Sequence, residues 1–504
     1  NFKGLVDELK FYNTVVLELS DVSVFNKEVL SFIKEMEQKK TLIIALFGDA
    51  KSLTQLNEIE SPIIYCPQHT NQGAALVAQV VFGGVEINNR LTENYTDKYQ
   101  KNTGYSIAKS RFKFTVPEEL GLNVNHFKAI DAIAAEAIRE KAAPGMVVFV
   151  AKAGHVIFNK AYGTHTYDKG SSKTLITDIF DLASITKTSA TTIETMRLYE
   201  SGKLNLDTTI STYIAKTRNT NKANIKVKEV LLHQAGFIPF IPFYNNIKPT
   251  DFSRDSSETY NIKVADSFYM QRSYFKDVMW KQMLESTLKT RGQYVYSDLS
   301  MYFMKEIVET ITQQPLANYV KSQFYAPLGM HTTGFNPRYR FSKNEIIPTE
   351  QDKYFRKTLL WGYVHDQGAA MVGGVSGHAG LFSNASDLAI LYQMLLNKGT
   401  YGGERYFKPK TVEMFTAKQS DISRRGLGFD RYDADSKTGY PSKLASNQTY
   451  GHTGYTGTCV WVDPAKDLVY IFLSNRVNPE VSNKLLNLNI RSRIQDAIYK
   501  ALEK

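Results

Sequence analysis

Ser184 and Lys187 form a Ser-x-x-Lys pair, a spacing that can turn a serine hydroxyl into a nucleophile. On a helix, residues three apart share a face, so the lysine amine can reach the serine hydroxyl. A serine at a helix N-terminus gains from the positive end of the helix dipole, and a lysine desolvated beside it can act as its base. The pair predicts attack by Ser184 on a carbonyl carbon.

The Ser-x-x-Lys pattern alone does not identify a site, because it occurs six times in this chain. Only the copy at Ser184 follows a predicted hairpin and an apolar approach, 179–183, and opens a helix-like segment, 191–200. The other five lie in helical faces or polar stretches and begin at Ser31, Ser106, Ser110, Ser273 and Ser286. The context therefore favours Ser184 as the nucleophile.

From Phe180 onward, seven stretches in a fixed order resemble the class C β-lactamase group, which also contains D,D-peptidases, D-aminopeptidases and esterases. They read LASITKTS (182–189), GKLNLD (202–207), VLLHQAG (230–236), YVYSD (294–298), PLGM (327–330), GHAGLFS (377–383) and GHTGYTG (451–457). The resemblance covers about residues 120–504. It implies a β-lactamase-like domain, with an antiparallel sheet flanked by helices and an all-helical region, in which Ser184 and Lys187 are catalytic.

In that family a second motif, Tyr-x-Asn, supplies a tyrosine that shares proton transfer with the lysine. A literal copy begins at Tyr244, but Tyr296 is the better match because a helical run, 299–311, follows directly. The resemblance thus implies that Tyr296 is the third catalytic residue. Asp298 stands where the family has Asn, and an ionised Asp only accepts hydrogen bonds. Asp298 would suit a substrate ammonium or hydroxyl, or pair with Lys187, and it weakens the case for β-lactam recognition.

The third family motif, Lys-Thr-Gly, also has a literal copy, at 437–439, in a polar loop with no strand after it. His452, Thr453 and Gly454 lead instead into a predicted strand pair at 458–473, the context that the motif has in the family. These three residues are therefore expected to contact the substrate.

His replaces the motif's Lys here, and a neutral imidazole, with its unperturbed pKa of about 6.5, is a weaker carboxylate anchor than a fixed ammonium. The resemblance implies that the backbone N–H groups of Ser184 and Tyr455 form the oxyanion hole, aimed at the developing tetrahedral oxygen. Tyr455 and Asp298, with the His452 motif, make up the expected substrate-binding set.

Other histidines are expected to order loops rather than to catalyse, notably His233 and His378. His365 and Asp366 would need further ligands nearby to bind a metal ion. No metal and no organic cofactor is expected.

The composition argues against other function classes. The 61 Lys and Arg against 50 Asp and Glu give a net charge of +11, but the basic residues are scattered, so nucleic-acid binding is not expected. Cys66 and Cys459 are too far apart in sequence for a disulfide framework or a zinc site. The sequence contains no run of about 18 apolar residues, so no transmembrane helix is predicted.

The elements before the motifs form a different pattern. A helix at 26–38, apolar strands at 41–47 and 62–66, and a helix at 74–81 predict a parallel sheet covered on both faces. The stretches 47–49, 62–66 and especially QGAALVAQVVFGGVEINNRL (72–91) resemble the end of the α/β sandwich domain of glycoside hydrolase family 3. The barrel that carries that family's nucleophile is absent from the sequence, so no glycosidase activity is expected.

The sequence thus predicts an α/β and α+β chain. Residues 1–95 form a partial family 3 α/β sandwich, 96–117 a linker, and 118–504 the β-lactamase-like domain, whose terminal strands are expected to share one sheet.

The expected reaction is hydrolysis of an amide or ester through an acyl-enzyme. The expected substrate is a peptidoglycan-derived peptide or D-amino-acid compound, in a chain originally fused to a β-N-acetylglucosaminidase-type glycosidase. Alternatives are a small-ester esterase, a β-lactamase, or a catalytically degenerate wall-binding module. The resemblance implies a periplasmic or cell-envelope location.

Overall fold

The chain forms two compact units, Asn1–Phe114 and Thr115–Lys504, in a computed structural model that describes residues 2–433, 435 and 441–503. The literal Lys-Thr-Gly copy at 437–439 lies outside the described residues. Both cysteines are buried and free. Among the described residues, no helix combines the length and the apolar character needed to cross a bilayer.

The first unit is built on a parallel three-stranded sheet, as the separated apolar runs predicted. Its strands, in spatial order, are Thr14–Ser20, Thr41–Phe47 and Ile63–Cys66. Its helices are Phe2–Glu8, Lys27–Lys39 and Asn71–Val81. The middle strand is the most buried because neighbours cover both of its edges and both of its faces.

Part of the stretch predicted to be a linker belongs to the core of this first unit. Tyr99 is buried, and its hydroxyl donates a hydrogen bond of 3.0 Å to the Leu56 carbonyl. Leu91 and Tyr95 pack against the same core. The polar sequence around these side chains has no helical or strand period, so only the tertiary structure shows that Tyr99 is buried and that Leu91 and Tyr95 are partly buried.

The second unit is organised by an antiparallel sheet that joins distant parts of the chain. The strands that this unit contributes to the sheet, in spatial order, are Asp430–Arg431, Tyr450–Thr453, Cys459–Asp463, Leu468–Ser474, Gly145–Lys152 and His155–Gly163. The strand Leu468–Ser474 pairs with Gly145–Lys152 over its whole length, which confirms that the two ends of this domain share one sheet. The helices Val124–Arg139 and Ile490–Ala501 pack against each other and contribute to the apolar core beside this sheet.

The middle of the second unit is mostly helical. Its further helices are Ile193–Glu200, Ile210–Tyr213, Val227–Leu231, Trp280–Glu285, Leu299–Thr312, Leu316–Val320, Ala326–Leu328, Gln367–Met371, Ala385–Leu396, Pro409–Thr416 and Lys484–Asn487. Its smaller sheets contain Phe180–Asp181, Phe252–Ser253, Tyr260–Ala265, Phe268–Gln271, Gly334–Phe335, Pro348–Gln351, Leu359–Trp361, Leu381–Ser383, Thr400–Tyr401 and Glu404–Arg405. Sheet and helical region together give the mixed fold that the resemblance implied.

Candidate active site

Ser184 lies at the point where a short strand turns into a helix. The strand Phe180–Asp181 pairs with Leu381–Ser383, and a 3₁₀ turn, Ala183–Ile185, follows it. Behind this turn a π-helical segment, Lys187–Thr192, is buried throughout. Ser184 itself is partly exposed. Ser184 is therefore at the surface of the site, while the helix behind it is fixed in the core.

Asp181 holds the turn that presents Ser184. Its carboxylate accepts the Ala183 N–H at 2.8 Å and the His365 N–H at 2.6 Å. Ala183 has a left-handed φ of +46°, a conformation that costs a non-glycine residue about 1–3 kcal/mol unless its surroundings hold it. Burial raises the pKa of Asp181, although both N–H donors oppose that shift.

Lys187 lies behind Ser184 with its ammonium fully enclosed. Its Nζ donates to Ser184 Oγ at 2.9 Å and to the His378 carbonyl at 3.1 Å, and it lies 2.8 Å from Asp298 Oδ1. Burial disfavours the ammonium, but the Asp298 carboxylate and the Tyr296 phenol outweigh burial and raise the pKa of Lys187. In this state Lys187 is a cation paired with Asp298, one of the alternatives that the sequence left open.

Tyr296 lies over the same ammonium, which is 5.0 Å from the centre of its ring. The ring of His233 packs on Tyr296 at 4.7 Å, and the ring of His452 lies 6.0 Å away. The backbone N–H of Ser297 donates to His233 Nδ1 at 3.2 Å, so His233 orders the loop that carries Tyr296. The literal copy at Tyr244 lies elsewhere, in a 3₁₀ turn where its ring contacts Phe355.

His452 is buried and neutral. Its Nδ1–H donates to the Thr453 carbonyl at 2.7 Å, and its side chain is enclosed, with no hydrogen-bond partner for Nε2 among the described residues. Burial, with the charges of Arg425 and Lys187, lowers the pKa of His452 to about 3. The imidazole therefore offers an acceptor at Nε2 and no positive charge for a substrate carboxylate.

The turn after His452 is joined to the segment that precedes Ser184. Thr456 Oγ1 donates to the Asp181 carbonyl at 2.7 Å, and Thr458 Oγ1 donates to the Leu182 carbonyl at 3.2 Å. Gly454 permits this approach, because a Cβ there would lie 2.4 Å from the Leu182 carbonyl oxygen and 2.1 Å from Thr458 Oγ1. The predicted third motif and the predicted nucleophile therefore meet in one place.

Tyr455, within this turn, keeps half of its side chain exposed beside a buried acid–base pair. Its ring lies 5.2 Å from the ring of His365 and 4.8 Å from the guanidinium of Arg476. His365 Nε2 is 3.1 Å from Glu350 Oε2. Arg356 donates to the His365 carbonyl at 2.6 Å. The segment beneath Tyr455 is thus held by buried polar contacts that sequence reasoning did not find.

A second group that sequence reasoning missed lies on the other side of Lys187. His378 Nε2 is 2.8 Å from Asp366 Oδ1, and His378 Nδ1 is 2.9 Å from Ser376 Oγ. Ligating atoms of Asp298, Asp366 and His378 lie within 4.8 Å of one another. Asp298 already pairs with the Lys187 ammonium and both His378 nitrogens are hydrogen-bonded, so this donor set fits a proton-carrying network better than a metal site. The sequence signals for this group are Asp366 in VHD (364–366) and His378 in GHAG (377–380). Sequence reasoning assigns both residues to the ordering of loops.

Comparison with known proteins agrees with this geometry. The Beta-lactamase family matches residues 130–495. A protein of Escherichia coli K12 named "Putative D-alanyl-D-alanine carboxypeptidase" is 33% identical over 400 residues, which cover 74% of this chain and 88% of that protein. A protein of the same name from Salmonella gallinarum is 32% identical over 399 residues, with the same coverage.

Solved structures show the same fold at low sequence identity. The hydrolase EstCE1 superimposes with a TM-score of 0.55 at 19% identity, covering 74% of this chain and 98% of its own. A penicillin-binding protein homologue from Caulobacter crescentus superimposes with a TM-score of 0.54 at 17% identity, covering 76% of this chain and 99% of its own. The chain therefore belongs to the Beta-lactamase family of serine hydrolases.

Proposed function

We propose that this serine hydrolase cleaves an amide bond in a peptidoglycan-derived peptide or related D-amino-acid compound, with Ser184 as its nucleophile. The observation that carries the proposal is the partly exposed Ser184 hydroxyl, 2.9 Å from the buried amine of Lys187. The substrate class is supported by relatives named as D-alanyl-D-alanine carboxypeptidases, matched over 88% of their length.

The proposed reaction has two steps. Ser184 Oγ attacks the carbonyl carbon, its proton passes to the Lys187 and Tyr296 relay, and the C–N bond breaks as the amine leaves with a proton. Water then attacks the acyl-enzyme through the same relay, which releases the acid and returns the proton to Ser184. The bonds from the turn at Thr456 and Thr458 to the segment before Ser184 support an oxyanion hole formed by the N–H groups of Ser184 and Tyr455.

A small ester is the second candidate substrate, and the state of His452 favours it. The buried, neutral imidazole provides no cationic anchor for a substrate carboxylate. An uncharged ester does not need such an anchor. Asp298, already paired with Lys187, makes a β-lactam a weaker candidate. Thr453 and the backbone at Gly454 are proposed to contact either substrate.

The first unit and the cell location complete the proposal. The parallel sheet over Thr14–Cys66 and the resemblance at 72–91 support descent from the sandwich domain of glycoside hydrolase family 3. A role in the cell envelope agrees with the carboxypeptidase relatives.

Labelling with a fluorophosphonate tests the nucleophile. We expect the wild-type protein and Ser273→Ala to be labelled and Ser184→Ala to remain unlabelled, since Ser273 begins another Ser-x-x-Lys sequence on an exposed surface. Labelling that persists in Ser184→Ala would assign the nucleophile elsewhere, and no labelling of folded wild-type protein would favour a wall-binding module. Turnover of D-alanyl peptides, nitrophenyl esters and nitrocefin then separates the peptidase, the esterase and the β-lactamase.

A further inference from the structure

We propose that Asp366, held by His378, is a positioning residue that acts through Asp298 to move the proton of Lys187 and so prepare Ser184 for attack. This inference rests on the proposed function, because it assigns a role in the reaction of Ser184. It addresses a problem that the geometry raises: Lys187 is an ammonium in this state, and an ammonium cannot accept the proton of Ser184.

The contacts of Lys187 show where its proton can go. Its Nζ faces the Ser184 hydroxyl at 2.9 Å and Asp298 Oδ1 at 2.8 Å. Transfer of one proton from Nζ to Asp298 leaves a neutral amine whose lone pair can take the Ser184 proton as Oγ attacks. The proton count is unchanged, and Asp298 can return its proton through Lys187 to the leaving amine.

Asp366 favours that transfer because it is a second carboxylate beside Asp298. Ligating atoms of the two carboxyl groups lie within 4.8 Å, so ionised Asp366 opposes a negative charge on Asp298. Burial would raise the pKa of Asp366, but the charge and hydrogen bond of His378 and the N–H of Ala369 outweigh burial and lower it. Asp366 therefore stays ionised beside Asp298.

His378 ties this carboxylate to Lys187 itself. Its Nε2–H donates to Asp366 at 2.8 Å, and its Nδ1 is hydrogen-bonded to the Ser376 hydroxyl at 2.9 Å, so the ring is fixed at both nitrogens. The His378 carbonyl accepts from Lys187 Nζ at 3.1 Å. His378 thus positions both Lys187 and Asp366, the carboxylate that acts on Asp298.

Other groups face the cluster, and they define what the test must control. Tyr302 packs on the His378 ring at 4.6 Å, and its hydroxyl is buried beside Ser376. A Cβ at Gly368 would lie 2.5 Å from that hydroxyl and 3.4 Å from Asp366 Oδ1, so this glycine keeps both groups in place. Among the described residues, the charged or titratable groups around this cluster include Asp181, Asp298, Tyr296, Tyr302, His233, His365, Arg425 and His452.

The test is the rate of fluorophosphonate labelling of Ser184 between pH 5 and 9 in wild type, Asp366→Asn, Asp366→Glu and His378→Asn. Removing the charge in Asp366→Asn makes Asp298 accept a proton less readily. We expect its plateau rate to fall about tenfold and its acid limb to move to lower pH. Asp366→Glu, which keeps the charge, should recover much of the rate, and His378→Asn should lie between wild type and Asp366→Asn. The control Asp277→Asn removes an exposed carboxylate elsewhere and should match wild type.

The outcomes separate this inference from the proposed function. Absence of labelling in folded wild-type protein would remove the proposed function itself. Normal labelling of Asp366→Asn at every pH, or a lower rate with an unmoved acid limb and no recovery in Asp366→Glu, would overturn the role of Asp366 alone. The midpoint of thermal unfolding of each variant, measured at pH 7, shows whether a lower rate reflects loss of fold.

Discussion

The Lys187 ammonium lies 2.8 Å from Asp298, whose side chain is 26% exposed while that of Lys187 is fully buried. This ion pair lets a lysine stay charged in the core next to the candidate nucleophile. It also occupies the carboxylate that the sequence left available for a substrate ammonium. The stability and the pH response of the site depend on this pair.

Asp298→Asn should destabilise the protein in a pH-dependent manner. The substitution leaves a buried ammonium without its counter-ion, so we expect the free energy of unfolding at pH 7 to fall by about 2–4 kcal/mol. The loss should shrink near pH 9.5, because Lys187 without its partner can shed its proton. Urea unfolding at both pH values measures this difference. In the background Lys187→Met, the cost of Asp298→Asn should largely disappear; an equal cost in both backgrounds would show that the pair does not couple.

His452 should make the protein less stable in acid. The unfolded chain binds a proton at this residue below about pH 6.5, whereas the buried imidazole, with its pKa lowered to about 3, does not. Stability is therefore complete above pH 6.5 and falls as the pH decreases toward 3, by about 2 kcal/mol at pH 5. His452→Gln should lose less stability than wild type between pH 7 and pH 5, as measured by urea unfolding. His126→Gln, at a partly exposed helical position, should follow wild type, and parallel curves for all three proteins would refute the role of His452.

Gly454→Ala should disrupt the site more than the fold. The new Cβ would lie 2.1 Å from Thr458 Oγ1 and 2.4 Å from the Leu182 carbonyl oxygen, so the turn that carries Tyr455 must move. A shift of this kind would displace the proposed oxyanion-hole donor at Tyr455, and loss of one such donor costs about 10²–10³ in rate. We expect labelling of Ser184 to slow at least tenfold. Gly4→Ala, where an added Cβ meets nothing within 4 Å, should label normally; a normal rate in Gly454→Ala would contradict the proposed hole.

Arg356 should be important for stability. Its side chain is fully buried, pairs with Asp352 at 2.8 Å, and donates to the carbonyls of Val364 and His365 at 2.6 Å each. Arg356→Met leaves Asp352 buried and unpaired, which should lower the free energy of unfolding by about 3–5 kcal/mol. Arg356→Lys should recover only part of this loss because an ammonium cannot reproduce the guanidinium fork. Chemical denaturation ranks the three proteins, and full recovery by lysine would show that only the charge matters.

The sequence by itself determined the elements and the order of the motifs. The apolar runs 41–47 and 468–473 predicted buried strands because short continuous apolar runs bounded by turn residues are typical of strands buried on both faces. Flanking elements were enough to prefer Tyr296 over the literal copy at Tyr244. Sequence also suggested that Asp298 could pair with Lys187, since a carboxylate and an ammonium near one site attract each other.

Only the tertiary structure decided which polar groups meet and in which charge state. Asp366 is 68 residues from Asp298 in sequence, yet ligating atoms of the two lie within 4.8 Å, because Asp366 is bonded to His378 while Lys187 contacts both the His378 carbonyl and Asp298. The charge of Lys187 and the neutrality of His452 follow from burial and from neighbours that no local pattern reveals. Electrostatic energies depend on distance and solvent exposure in three dimensions, and neither quantity is written in the local sequence.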